Sequence, residues 1–191
     1  MSETVPLILA SSSPRRRDLL AEAGLSFAVR ASAAEELHDP QLSAAALTEE
    51  NAFRKASAVA SEFPSALVLG ADTLVYLDGE PFGKPRDLEE AFFMLSRLAG
   101  RTHQVCTGVC LLEKASAKQR RFHAVTAVTF RALDPAGIGE YLASIDPLDK
   151  AGGYAAQEHG EKIIERLDGS WSNVIGLPME ALQAELKNWK I

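Results

Sequence analysis

Leu7-Ile8-Leu9-Ala10-Ser11-Ser12-Ser13-Pro14-Arg15-Arg16-Arg17 passes from an apolar run through three hydroxyls to a proline and three arginines. A short apolar run reads as a buried strand. The serines and Pro14 read as a helix start, because proline pre-sets the first helical turn. The helix then carries Leu19, Leu20 and Ala23 on one face until Gly24 stops it. A loop that feeds a helix N-terminus presents unpaired N–H groups and the positive end of the helix dipole. Hydroxyls at Ser11 and Ser13, with planar guanidinium forks at Arg15 and Arg16, suit phosphate oxygens. The plainer alternative is a serine cap followed by solvated arginines. The glycine spacing of a P-loop is absent.

Outward from this unit, the spacing predicts strands over 27–31, 66–71, 104–112, 122–130 and 163–167. Asp72-Thr73 is expected at the end of the 66–71 strand, with 74–77 continuing extended into the hairpin signal Asp78-Gly79. Helices are expected over 42–61, 87–98 (capped by Asp87 and ended near Gly100), 134–144 and 180–189. Glu113–Arg121 reads as a solvated loop, and 81–85 as a rigid connector. Alternating strands and helices give an α/β class. No repeat or linker interrupts 1–191, which is read as one domain.

The chain has 191 residues, 47% of them hydrophobic and 24% charged, the mix of a globular domain with a core. A formal net charge of −6 speaks against a protein that coats nucleic acid. It leaves room for a small anion in a locally cationic site. Cys106 and Cys110 read as buried small hydrophobes. No apolar run has the length of a membrane span, and Met1–Ala10 lacks the basic start of a signal peptide, so a cytoplasmic location is expected.

Asp72 is the main candidate for chemistry. A carboxylate at a strand end can hold a divalent cation or accept a proton from water, and it can equally cap a turn. Lys84, set between Gly83 and Pro85, and Lys55 on the long helix are candidate phosphate contacts. Glu35 and Glu36 form a carboxylate pair after the second strand. Asp149-Lys150-Ala151-Gly152-Gly153-Tyr154 reads as a backbone able to approach a flat ligand, and Gln157 offers the donors and acceptor needed at a pyrimidine edge. Trp171 is a packing residue or a stacking platform. His38, His103, His123 and His159 show no metal-binding spacing.

Together these segments resemble the Maf family of nucleoside triphosphate pyrophosphatases. The resemblance rests on Leu9–Arg16, Lys55-Ala56, Gly70-Ala71-Asp72-Thr73, Gly83-Lys84-Pro85, Gly100–Val105, Asp149–Tyr154 and Gly176-Leu177-Pro178. It implies cleavage between the α and β phosphates with a divalent cation (Mg²⁺, Mn²⁺ or Co²⁺), and Asp72 as proton acceptor and metal contact. Glu36, or Glu35 one residue away, would share the metal. Ser11, Ser13, Arg16, Lys55 and Lys84 would line the phosphates. Arg15, Thr73 and Gln157 match the positions that separate substrate classes.

The Ala71-Asp72-Thr73 and Lys150–Gln157 segments resemble the dTTP/UTP branch, whereas the 7-methyl-GTP branch has Gln after the Asp and Glu in place of Gln157. One departure is Gly153-Tyr154-Ala155-Ala156, where the family more often has Ala-Tyr-Gly-Ile. The fold implied is an elongated mixed twisted sheet flanked by helices, in two lobes with a central cleft, often as a homodimer. The role implied is house-cleaning of canonical or modified pyrimidine nucleotides, with a link to cell-division arrest. Two other readings stand beside it: a nucleotide-binding regulator of septum formation without catalysis, and a nucleic-acid-binding module built on the arginine-rich helix start.

Overall fold

A computed structural model describes residues 6–189. Of Met1–Ala10, where no leader is expected, the first five residues lie outside the described part. The elements are β1 (Leu7–Leu9), α1 (Pro14–Glu22), β2 (Phe27–Val29), α2 (Ala44–Glu62), β3 (Leu67–Leu77), β4 (Glu80–Phe82), α3 (Leu88–Leu98), β5 (Thr102–Glu113), β6 (Lys118–Phe130), α4 (Pro135–Leu142), α5 (Gly160–Ile163), β7 (Ile164–Asp168), α6 (Trp171–Ile175) and α7 (Met179–Leu186). One seven-stranded sheet runs in the order β2-β1-β3-β5-β6-β7, with β4 paired to β3. β1 lies parallel to both β2 and β3, while the β3–β4 and β6–β7 pairs are antiparallel, so the sheet is mixed. The expected α/β class stands.

The chain divides into two compact units. Unit 1 comprises residues 1–72, 107–124 and 176–191; unit 2 comprises 73–106 and 125–175. In unit 1, alternate β3 residues serve two cores, as the period of two in a strand requires. Leu67, Leu69 and Ala71 join Leu7, Leu9 and Leu20 with Leu177, Leu182 and Leu186 on one face. Val68 joins Ile8, Cys110 and the alanine stripe Ala52, Ala56 and Ala60 of α2 on the other. In unit 2, Val75, Leu77 and Phe82 pack with α3 and α4 around Phe130 and Tyr141.

α2 begins at Ser43, whose hydroxyl accepts from the Ala46 N–H. Its approach to the sheet is set by glycine. A Cβ on Gly70 would stand 2.1 Å from the Ala52 carbonyl oxygen, and one on Gly108 would stand 2.2 Å from the Thr48 carbonyl carbon. No side chain fits at either point, so the helix backbone rests directly on β3 and β5.

The hairpin expected at Asp78-Gly79 forms, with Leu77 opposite Glu80 and positive φ at both turn residues. Asp87 and Asp134 cap their helices through the Glu90 and Gly137 N–H groups. Three expectations need correction. Asp72 and Thr73 lie in the middle of an unbroken strand, because residues up to Leu77 continue to feed a core, now that of unit 2. The expected loop over 113–121 shrinks to a tight turn. Lys118 stacks on the Trp189 ring and Arg120 pairs with Glu185, so the strand is extended by charged groups that find partners. The 169–178 connector contains a short helix, α6, started by the Ser170 hydroxyl accepting from the Asn173 N–H.

Cys106 and Cys110 are buried as expected, and burial pushes the Cys110 thiol up to about 12. Trp171 is exposed, which removes its packing reading. Among the described residues no helix is long and apolar enough to cross a membrane.

Gly70→Ala is expected to cost about 3 kcal/mol, because a backbone rather than a flexible side chain must yield. Urea denaturation checks this. A loss below about 1 kcal/mol would mean that α2 can lift without penalty.

Candidate active site

Ser13 is the residue at the head of α1, but its side chain makes no capping bond there. Ser11 does the local work. Its oxygen accepts from the Ser13 N–H at 3.1 Å and from Arg16 Nη1 at 3.3 Å, which leaves its own O–H to donate. Arg16 Nε donates to the Gly176 carbonyl at 2.9 Å. The Gly176-Leu177-Pro178 motif therefore aims the guanidinium from the far end of the sequence. Arg16 is half-buried, and loss of solvent lowers its pKa from the ordinary value. Asp72 and Glu36 oppose that effect, while neighbouring Arg15 adds to it. Arg16 thus feels the charge of three other expected site residues.

Lys55 connects the carboxylates. Its Nζ lies 2.6 Å from Asp72 Oδ1 and 2.7 Å from Glu36 Oε1. It is Glu36, not Glu35, that reaches the lysine. Lys55 is 14% exposed and the Asp72 side chain 8%, so this pair is shielded from the screening that weakens surface ion pairs. Asn51, one turn before Lys55 on α2, donates from Nδ2 to Asp72 Oδ2 at 3.2 Å. A spacing of four residues puts Asn51 and Lys55 on one helix face. Both oxygens of Asp72 are therefore held from α2. Asn51 was not a candidate in the sequence, where it stands among polar residues of a helix start.

The donor set bears on the expected cation. Two carboxylates converge on a single point, and among the described residues no group of three His, Cys, Asp or Glu side chains gathers to hold a metal. Two oxygen-bearing residues suit a hard divalent cation that keeps waters and takes phosphate oxygens as further ligands. They do not suit a closed structural site.

The other candidates lie in unit 2. Thr73 is half-buried on β3, next in the chain to Asp72. Lys84 is exposed and has no ion-pair partner among the described residues. Its loop is tied down by the Gly152 N–H, which donates to the Gly83 carbonyl at 2.9 Å. Gly152 and Gly153 both have positive φ and face Val75 and Ala91. These glycines allow close packing of the protein on itself.

Gln157 is exposed, and its Nε2 donates to Glu158 at 3.4 Å. The segment is anchored just upstream by buried Lys150, which pairs with Asp149 at 2.7 Å and reaches Glu158 at 3.7 Å. His103 and Tyr154, from two of the motifs, meet in the unit 2 core with Nε2 and the phenol oxygen 2.8 Å apart. Burial lowers the His103 pKa to about 4. Those motifs contribute to the core of unit 2.

Residues 6–189 match the family model described as Maf-like protein. A dTTP/UTP pyrophosphatase of Akkermansia muciniphila is 48% identical over 174 residues, 91% of each chain. The protein of that name from Pelotomaculum thermopropionicum is 45% identical over 183 residues, 96% of each chain. That of Myxococcus xanthus is 48% identical over 173 residues, 91% of this chain and 87% of its own.

Removing the shared cation should cost more than removing either acid. Lys55→Met leaves Asp72 and Glu36 facing each other without the ammonium between them, and a loss of about 3 kcal/mol is expected. Asp72→Asn leaves Lys55 paired with Glu36 but turns an NH2 toward one of the two donors from α2, so a smaller loss of about 1–2 kcal/mol is expected. Equal losses in chemical denaturation would show that Lys55 does not serve both carboxylates.

Proposed function

The chain belongs to the Maf-like protein family, and from that we propose that it hydrolyses dTTP and UTP to the monophosphate and pyrophosphate. Support comes from similarity along nearly the whole chain to proteins named dTTP/UTP pyrophosphatase. The structural observation that carries the reading is one half-buried lysine held between Asp72 and Glu36, beside an anchored arginine. The reading takes 1–191 as a single catalytic domain.

In the proposed reaction a water oxygen attacks the α-phosphorus while the Asp72 carboxylate takes its proton. The bond from the α-phosphorus to the bridging oxygen breaks, and pyrophosphate leaves with that oxygen. The phosphates carry several negative charges, so catalysis rests on placement and charge stabilisation more than on covalent chemistry. Arg16, held by Gly176, and Lys55 supply fixed cations. Ser11 and Ser13 supply hydroxyl donors at the head of α1, where backbone N–H groups also point outward. Lys84, which has no ion-pair partner among the described residues, is a further phosphate contact in this reading.

A divalent cation held by Asp72 and Glu36 would neutralise phosphate oxygens; Mg²⁺, Mn²⁺ and Co²⁺ all fit an oxygen donor set. Arg15, Thr73 and Gln157 set the substrate class. An amide at Gln157 can accept from the N3–H of thymine or uracil and donate to a ring carbonyl, a pairing that a carboxylate cannot complete.

The test is pyrophosphate release from a panel of nucleoside triphosphates with each of the three cations. Release from dTTP and UTP is expected, and it should stop on chelation. Nucleotide binding without release would favour a non-catalytic regulator. Asp72→Asn keeps the shape and loses the basicity, so kcat should fall by about 10²- to 10⁴-fold in the same assay. Wild-type turnover in that variant would remove Asp72 from the role of base.

Gln157→Glu should lower kcat/KM for dTTP and UTP by about 10- to 100-fold, the size of one lost pairing in a specificity pocket. Its melting temperature should not change, because Gln157 is exposed. An unchanged kcat/KM for dTTP would take Gln157 out of substrate selection.

A further inference from the structure

We propose that Asn51 is a positioning residue that sets Asp72 and Glu36 in register with each other. The inference rests on the function proposed above. Asn51 is 2% exposed, and its amide is committed in three directions. Oδ1 accepts from the Leu37 N–H at 2.6 Å, and Nδ2 donates to the Leu37 carbonyl at 3.1 Å. The second N–H of Nδ2 goes to Asp72 Oδ2 at 3.2 Å. This network also fixes which end of the amide is which, since only the oxygen can accept from Leu37 and only the nitrogen can serve two oxygens.

The Leu37 contact has the form of a strand pairing made by a side chain. It matters because residues 31–39 have no regular secondary structure to hold them. Glu36 is the residue before Leu37. Its carboxylate is 41% exposed, so its meeting with Lys55 depends on where the backbone is pinned. Asn51 pins that backbone and, with the same nitrogen, one oxygen of Asp72. A single rigid amide thereby relates the two carboxylates, while Lys55 spans them from the next turn of α2. Lysine alone would not achieve this, because its flexible stem can follow either carboxylate.

Two variants separate the contacts. Asn51→Ala removes all of them. Asn51→Asp keeps the acceptor for the Leu37 N–H and removes both donations, so it keeps the volume should the alanine variant fail to fold. Both are expected to lower kcat for dTTP by about 10- to 100-fold, the usual cost of losing a residue that orients ligating groups. KM for dTTP should move by less than about threefold, because no contact with the nucleotide is removed.

Amide hydrogen exchange over 31–40 supplies a readout independent of activity. The Leu37 amide should lose protection in Asn51→Ala and retain more of it in Asn51→Asp. On a Glu36→Gln background, Asn51→Ala should cost less than it does alone, since part of its effect acts through Glu36. Wild-type kcat in Asn51→Asp, or a loss that is fully additive with Glu36→Gln, overturns the proposal. A wild-type protein that releases no pyrophosphate overturns the function and not the anchoring, which the exchange arm still reports.

Discussion

The direct contact of α2 with the sheet at Gly70 and Gly108 underlies the arrangement of unit 1. Helices usually stand off a sheet by the width of the intervening side chains. Here Gly70 removes that spacer two residues before Asp72, on the same face of the strand. The alanine stripe Ala52, Ala56 and Ala60 completes the close approach on the helix side. The short side chain of Asn51 can then reach a carboxylate on the neighbouring strand, and Lys55 can reach it without extending into solvent. With a larger residue at Gly70 the same polar groups would stand apart, and water would enter between them.

Burial changes what those polar groups are worth. The exposed pairs of this chain, such as Arg17 with Asp18 or Arg166 with Asp168, each contribute little. Lys55 and Asp72 are shielded, and each would be costly if left alone. The cluster therefore has a definite geometry but little margin, which is the usual condition of a site that must accept and release charge. The second carboxylate, Glu36, is more exposed and sits on an irregular segment. It is the side of the cluster with freedom to change partner, and Asn51 is what limits that freedom.

Much of this was legible in the sequence, for identifiable reasons. Local signals named the elements: Pro14 at the start of α1, Asp87 and Asp134 as caps, Asp78-Gly79 as a turn and the apolar runs as strands. The site set came from the resemblance to the Maf family, and Ser11, Arg15, Arg16, Glu36, Lys55 and Asp72 of that set all belong to unit 1. What the sequence hid was relational. Nothing local distinguishes Asn51 from an ordinary polar helix residue, since its partners lie 14 and 21 positions away. The strand end expected at Asp72 failed because a polar residue can sit mid-strand when a helix satisfies it. The close approach of Gly152 and Gly153 to Val75 and Ala91 was equally hidden, because glycine composition does not say which partner the backbone approaches.

The overall charge of −6 and the phosphate reading are reconciled by this local organisation. In unit 1 the cations Arg16 and Lys55 face the carboxylates Asp72 and Glu36, and with neighbouring Arg15 the five groups carry one net positive charge. That is too little to neutralise a triphosphate by itself, and more lysines would not remedy it, since they would pair with the same carboxylates. A divalent cation between Asp72 and Glu36 would offset both acids at once and leave Lys55 and Arg16 for the phosphates. On this argument the carboxylates are a means of recruiting charge together with the substrate. The free protein keeps them quiet by lending them a lysine.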